Sequence, residues 1–408
     1  MCRTKYLFRK TIIGYSCKMS LCAQFLRPSR LCAPVARGLS ATAEAVSIPD
    51  EPLQVFRTLE NNPANHTTDH LHRFYTIEPK VQQRLFATGG LPKKFANNCA
   101  TFLECSLLVR SPAVDIISYL NQTDYTRPAN KYVLYGKMGV GKTLTVAHLV
   151  HYGLATKKII VHVPWVPYWF KTPKEVATSL TKEGYYDLPL DAATWLVHFK
   201  RQNEPLLAEL NLVVSKEYEW SAREITKAGA PLTEMIDLGV SRVKYACDII
   251  YALTEELKLA STAGKCNTLV LIDGFNAFYA EQSRIKDEEK KWLKPTYVSL
   301  TDAFLNITKW DWCNGAIVLT VDPVATMSKD YEKSPGLPRL MLGTEGFEHL
   351  DPFLPVKVDD YTPEEFESVM EYYKDRKWVR NITKEGQREL ELLSARNPYT
   401  LMTRTTHI

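Results

Sequence analysis

Five short apolar or β-branched runs punctuate the middle of the chain, at 132–135, 159–163, 268–272, 316–321 and 353–358. None alternates with polar residues, which is the pattern of strands buried on both faces of a parallel sheet. From Lys131 onward the order is strand, glycine-rich turn, helix, strand, and this rhythm predicts an α/β fold with helices covering the sheet. Between the second and third runs, residues 172–260 are patterned mostly for helix, with Trp195, Leu196, Phe199, Leu206, Leu207 and Leu210 as one stripe, and predict a long helical insertion. Residues 101–120 place Leu103, Leu107, Leu108, Val114, Ile116, Ile117 and Leu120 at helical spacing and predict one helix flanking the first strand. Residues 48–98 are rich in Pro, Asn, His and Gly, have weak periodicity, and predict an extended arm with little core of its own. The charged stretch 283–294 predicts a solvated loop. Thr362-Pro363-Glu364-Glu365 combines a capping box with proline at the first helical position, so a helical tail opens there. The divisions expected are a leader over 1–39, the arm over 40–98, an α/β domain over 99–358 and a C-terminal helical subdomain over 359–408.

Composition changes this picture at the N-terminus. The first acidic residue is Glu44, and Arg3, Lys5, Arg9, Lys10, Lys18, Arg27, Arg30 and Arg37 precede it among Leu, Phe, Ser and Thr. That is the composition of a mitochondrial transit peptide, and Arg37-Gly38-Leu39 before Ser40 suits cleavage near Ser40. A mitochondrial matrix location follows as an expectation. Removal of the leader leaves 43 basic against 46 acidic residues, a formal charge of −3. A chain that coats nucleic acid broadly carries a basic surplus, which the mature protein lacks. No apolar run reaches the ~20 residues of a membrane-spanning helix, so no membrane partner is expected. The nine cysteines contain no C-x-x-C pair and are read as reduced, without a zinc site. His66 is a loop histidine with no second ligand at metal spacing and is read as structural.

The chemistry is concentrated in Gly136, Lys137, Met138, Gly139, Val140, Gly141, Lys142 and Thr143, which satisfy G-x-x-x-x-G-K-[ST] between a strand and an amphipathic helix beginning at Leu144. Such a loop turns successive backbone N–H groups toward phosphate oxygens at a helix N-terminus. Lys142 is expected at the β- and γ-oxygens and Thr143 on Mg²⁺. The metal shell needs a carboxylate at the end of a neighbouring strand, and Asp273 ends the run 268–272. Hydrolytic relatives of this sheet type carry an acidic residue soon after it, whereas Gly274, Phe275, Asn276 and Ala277 stand here. Losing a water-orienting group costs about 10²–10⁴ in rate, so binding is expected to outlast chemistry. Thr320 and Asp322, ending the fourth run, are candidate sensors of the γ-phosphate, and Arg396 is a further candidate contact from the tail. No [NT]KxD base-reading motif follows, so the motif itself admits GTP, GDP or ATP with Mg²⁺.

Beyond the loop in its setting LYGKMGVGKTL, the chain carries NPANH at 62–66, ATWL at 193–196, IDGFNAF at 272–278, GAIV at 315–318, LGTEGFEHLDPFLP at 342–355 and EFES at 365–368. With these segments in this order the chain resembles the death-associated protein three family, the GTP-binding protein of the mitochondrial ribosomal small subunit. The resemblance implies an AAA+-related P-loop domain, a bound guanine nucleotide, and a place in the head of the small subunit near intersubunit contacts. Its implied partners are small-subunit proteins, rRNA and large-subunit proteins across an intersubunit bridge, and it implies a connection to apoptosis in animals. The family's phosphate loop maps onto Gly136 to Thr143 and its metal carboxylate onto Asp273. The fourth-strand end, Leu319-Thr-Val-Asp-Pro323, departs from the family's animal pattern. The competing reading is an active AAA+-type ATPase of the matrix that remodels protein or nucleic acid. It requires a base and an arginine finger that the sequence does not reveal. A free signalling GTPase would need the missing base-reading motif.

Overall fold

The computed structural model describes residues 55–326 and 334–406. The leader expected over 1–39 lies outside the described residues. In chain order the first elements are β1 (Phe74–Ile77), α1 (Pro79–Phe86), α2 (Lys93–Phe102), β2 (Cys105–Leu108) and α3 (Ser111–Gln122). They lead into β3 (Asn130–Tyr135), α4 (Lys142–Ala155), β4 (Ile159–Val163) and α5 (Pro167–Lys171). The short hairpin β5 (Ala177–Thr178) and β6 (Tyr186–Asp187) precedes α6 (Pro189–Leu210), and β7 (Tyr218–Ser221) with β8 (Glu224–Thr226) precedes α7 (Leu232–Ser241) and α8 (Ala246–Thr262). Then follow β9 (Thr268–Ile272), α9 (Ser299–Ile307), β10 (Gly315–Thr320), α10 (Pro338–Leu350) and β11 (Leu354–Lys357). The C-terminal helices are α11 (Pro363–Asp375), α12 (Lys384–Ser394) and α13 (Pro398–Thr405).

The five runs expected as strands form one sheet in the order β11-β3-β10-β9-β4, and every neighbouring pair is parallel. Alternate residues feed opposite faces. Val133, Val161, Val270, Ile272, Ile317 and Leu319 pack under α6, α7, α8 and α9, whereas Leu134, Ile160, Leu269, Leu271 and Val318 pack under α3 and α4. The sheet is therefore the middle of three layers, which is why its strands read as continuous apolar runs. Its β4 edge is closed by side chains. The Asn203 amide accepts from Ile160 N–H and donates to Ile160 C=O, each at 2.8 Å, in place of a sixth strand. Residues 172–260 are mainly the helices α6 to α8, with two small hairpins that the helical pattern did not announce.

Two expectations fail together. Residues 101–120 are not one helix: α2 ends at Phe102, Leu103 turns left-handed at φ 56°, and Cys105–Leu108 is a strand. Its antiparallel partner is β1, inside the segment expected to be an extended arm. That segment is not an arm, because Tyr75, Ile77, Leu85 and Phe86 are buried in the core under α4. The physical reason is shared. A four-residue strand is too short to show a period, and each half of this hairpin is legible only once the other is known.

A third apolar cluster joins Phe74 to the C-terminal helices through Phe366, Val369, Met370, Tyr372 and Leu401. The capping box at α11 forms as the sequence predicts: Thr362 Oγ1 accepts from Glu365 N–H, and Glu365 Oε2 accepts from Thr362 N–H. In the stretch 283–294 Ser283 and Ile285 are buried while most of the rest is exposed.

Candidate phosphate-binding site

The carboxyl ends of β3, β9 and β10 meet at one end of the sheet. Between β3 and α4 the chain turns through Gly136 at φ 147°, Gly139 at 81° and Gly141 at 103°. Gly136 has no room for a side chain, since a Cβ there would come within 2.3 Å of Val358 O. A Cβ on Gly139 would lie 2.7 Å from Tyr399 Cβ. Both conformation and contact therefore exclude side chains where a backbone-lined phosphate cradle needs none.

Lys142 is buried at the first turn of α4. Its Nζ donates to Gly136 O and Lys137 O at 2.8 Å each and pairs with Asp322 Oδ2 at 3.0 Å. Thr143 Oγ1 donates to Asp273 Oδ2 at 2.7 Å. Burial pushes the Asp273 carboxyl up to about 6, opposed by the hydrogen bonds from Thr320 and Thr143, while neighbouring Asp322 pushes it the same way as burial. A hydroxyl and a buried carboxylate held together at the head of a P-loop helix suit Mg²⁺, which prefers oxygen ligands and keeps several waters.

Thr320 does not face the cleft as a sensor would. Its hydroxyl donates to Asp273 Oδ1 and accepts from Gly274 N–H, so it stands behind the Asp273 carboxylate and orients it. Asp322 does line the cleft, with Gly139, Gly141, Lys142, Thr143 and Leu144. Arg396 sits elsewhere: its Nε is 3.9 Å from Glu391, and it is not among the cleft-lining residues. After Asp273, residues Phe275–Tyr279 form a short 3-10 helix whose Phe275 and Phe278 are buried in the core. No carboxylate enters the cleft from that loop.

Three features of the site were missed from sequence. Arg110, at the N-cap of α3, donates to Val140 O at 2.6 Å and grips both carboxylate oxygens of Glu365 at 2.9 and 3.0 Å. It also reaches Asp359 O at 2.9 Å and lies over the Tyr361 ring. Secondly, the start of α13 sits directly on the phosphate loop: Tyr399 N–H donates to Gly139 O, and Asn397 Nδ2 to Met138 O, both at 3.1 Å. Thirdly, α2 and its cap supply Pro92, Phe95 and Asn98 to the lining of the same cleft, together with Tyr399 and Met402. All three depend on segments far apart in the chain, and no local pattern marks them.

The segment 62–66 docks on the back of α4. His66 Nδ1 lies 2.9 Å from Nε2 of the buried His148, a residue of α4 that also lines the cleft. Burial holds His66 below its usual range and His148 well below it. This is a structural role, as expected for His66.

The family model described as "Mitochondrial ribosomal death-associated protein 3" matches residues 107–404. The chain belongs to the mitochondrial ribosomal death-associated protein 3 family. A Bos taurus relative, "Small ribosomal subunit protein mS29", is 38% identical over 347 residues, covering 84% of this chain and 86% of the relative. The Mus musculus protein of the same description is 36% identical over 363 residues, covering 88% and 91%. Among solved structures, the Walker-type ATPase PABY2304 of Pyrococcus abyssi overlaps 72% of this chain and 65% of its own, at 12% identity and a TM-score of 0.37. In this family member the matched region starts at β2 and takes in the phosphate loop, Asp273 and the C-terminal helices.

Proposed function

We propose that this chain is a component of the small subunit of the mitochondrial ribosome, in the matrix, that holds a guanine nucleotide with Mg²⁺ and supports mitochondrial translation. The backbone of Gly136 to Thr143 would receive the phosphates, Lys142 would neutralise them, and Thr143 with Asp273 would hold the metal. The apolar wall of Phe95, Tyr399 and Met402 beside the loop fits the base and ribose. When bound, the nucleotide supplies the charge and packing that complete this end of the sheet. The protein's own groups position and enclose it.

The observation that carries this reading is the collar on the phosphate loop. Carbonyls of Met138, Gly139 and Val140 are each bonded by a group from α13 or Arg110. A loop fastened in this way suits retention, and nothing from the loop after Asp273 is placed to orient a water. We propose slow or absent turnover on this ground, and a place in the subunit head near the intersubunit contacts on the ground of the family resemblance alone. The relatives described as small-subunit proteins support the ribosomal part, and the phosphate loop supports the nucleotide part.

The test is to denature the native protein and identify the nucleotide released. A guanine nucleotide near one per chain is expected from the natural protein and none from Lys142→Ala. Retention of stoichiometric nucleotide by the variant removes the assignment. In gently lysed mitochondria, tagged protein sedimenting away from the small subunit at low salt defeats the ribosomal reading. Turnover well above one per minute, lost in Asp273→Ala, would establish the ATPase alternative instead.

A further inference from the structure

We infer that Asp322 makes the phosphate site select nucleoside diphosphates over triphosphates, an inference that rests on the nucleotide-binding reading above. The Asp322 carboxylate and the Lys142 ammonium lie 3.0 Å apart, with side chains 15% and 2% exposed. A P-loop lysine serves the β- and γ-oxygens. An anion on its amine therefore stands on the terminal-phosphate side of the site.

The carboxylate is fixed there. Asp322 Oδ1 accepts from Val324 N–H at 2.8 Å, which leaves Oδ2 toward the lysine. The backbone of Asp322 is held by the buried Asn276, whose Oδ1 accepts from Asp322 N–H and whose Nδ2 donates to Asp322 C=O, each at 3.0 Å. Lys142 has its remaining donors on Gly136 O and Lys137 O. Asp273 adds a second carboxylate nearby, tied by Thr143 and Thr320.

The consequence is electrostatic. A diphosphate leaves the Asp322–Lys142 pair intact and takes the lysine donors now on Gly136 O and Lys137 O. A triphosphate brings its most highly charged group up to a carboxylate that cannot turn away, in a place where water screens little. Mg²⁺ on Thr143 and Asp273 offsets part of that repulsion for both ligands. Asp322 thus supplies, from within the chain, the negative charge that a γ-phosphate would otherwise place beside Lys142.

The experiment is titration calorimetry of the full chain with Mg²⁺ and with GDP, GTP or a non-hydrolysable GTP analogue, on the natural protein and on Asp322→Asn. Asparagine keeps the size of the side chain and the oxygen that receives Val324 N–H. The natural protein is expected to hold the diphosphate about tenfold tighter or more, and the variant to lose most of that preference by gaining about tenfold more for the triphosphate than for the diphosphate. Equal affinities in the natural protein, or an equal shift for both ligands in Asp322→Asn, would each overturn the inference. Binding of neither guanine nucleotide would remove the nucleotide reading itself.

Discussion

The loops that follow β3 and β9 leave the same end of the sheet and are built on opposite plans. The first, Gly136 to Gly141, is nearly free of side chains facing the cleft and has its carbonyls fastened from outside. The second, Gly274 to Tyr279, is filled with aromatic side chains that vanish into the core. One offers backbone groups to a ligand. The other spends its residues on packing, and the buried Asp273 before it reaches the site through Thr143. On the proposed reading, binding and stability fall to loops on either side of β10, and substitutions should separate them.

The largest separation is expected from Lys142→Ala, which should reduce nucleotide retention by about 100-fold or more, while protein stripped of nucleotide still unfolds cooperatively but at a lower temperature, since Asp322 and two carbonyls lose their partner. Equilibrium dialysis with scanning calorimetry checks both halves. Phe278→Ala should do the reverse. It leaves a cavity against Trp169, Phe170 and Phe275 and should cost about 3–5 kcal/mol of stability in denaturant titration, with nucleotide affinity changed less than about threefold below the transition. A comparable loss of affinity would show that the two loops are not independent. Glu365→Gln should fall between them, because it removes the charge that Arg110 grips at the collar. A loss of about 1–3 kcal/mol is expected, together with faster nucleotide release in a chase experiment.

A pH dependence should not separate the two loops, since His148 lines the cleft and His349 stacks on Phe275. Burial holds His151, His198 and His349 down to about 4 and places His148 and His162 well below the usual imidazole range. These rings are depressed in the folded state, so their contribution to stability is complete above about pH 6.5 and is lost as pH falls toward the folded values. Thermal unfolding should therefore be flat from about pH 8 to 6.5 and fall steeply by pH 5. A curve flat down to pH 5 would contradict the burial of these rings.

What the sequence discloses follows from how local each signal is. The five core strands, the phosphate loop, Asp273 and the capping box at Thr362 each declare themselves within about ten residues, and all stand where the pattern puts them. The β1–β2 hairpin, Arg110 and the seat of α13 on the phosphate loop are relations between segments roughly thirty to 260 residues apart, and composition and periodicity cannot express them. Asp322 shows the boundary between the two kinds of information. Its position after the fourth strand marks it for the site, but its pairing with Lys142 emerges only when β10 lies beside β3. Thr320, two residues earlier, carried the same mark and turned out to serve Asp273 from behind.

The contact between Asn397 and Met138 spans 259 positions of chain. The cleft cannot be closed until α13 has been made, brought in and seated, long after the glycine loop has emerged. Loop closures of that length are slow compared with local helix formation. On the proposed nucleotide-binding reading, capture would be a late event in the life of each molecule, and a filled site would certify that the chain has been folded through to its final helices. Refolding followed by tryptophan fluorescence should show added GDP accelerating or stabilising the last phase alone; an effect on the earliest phase would place site formation before the C-terminal helices dock.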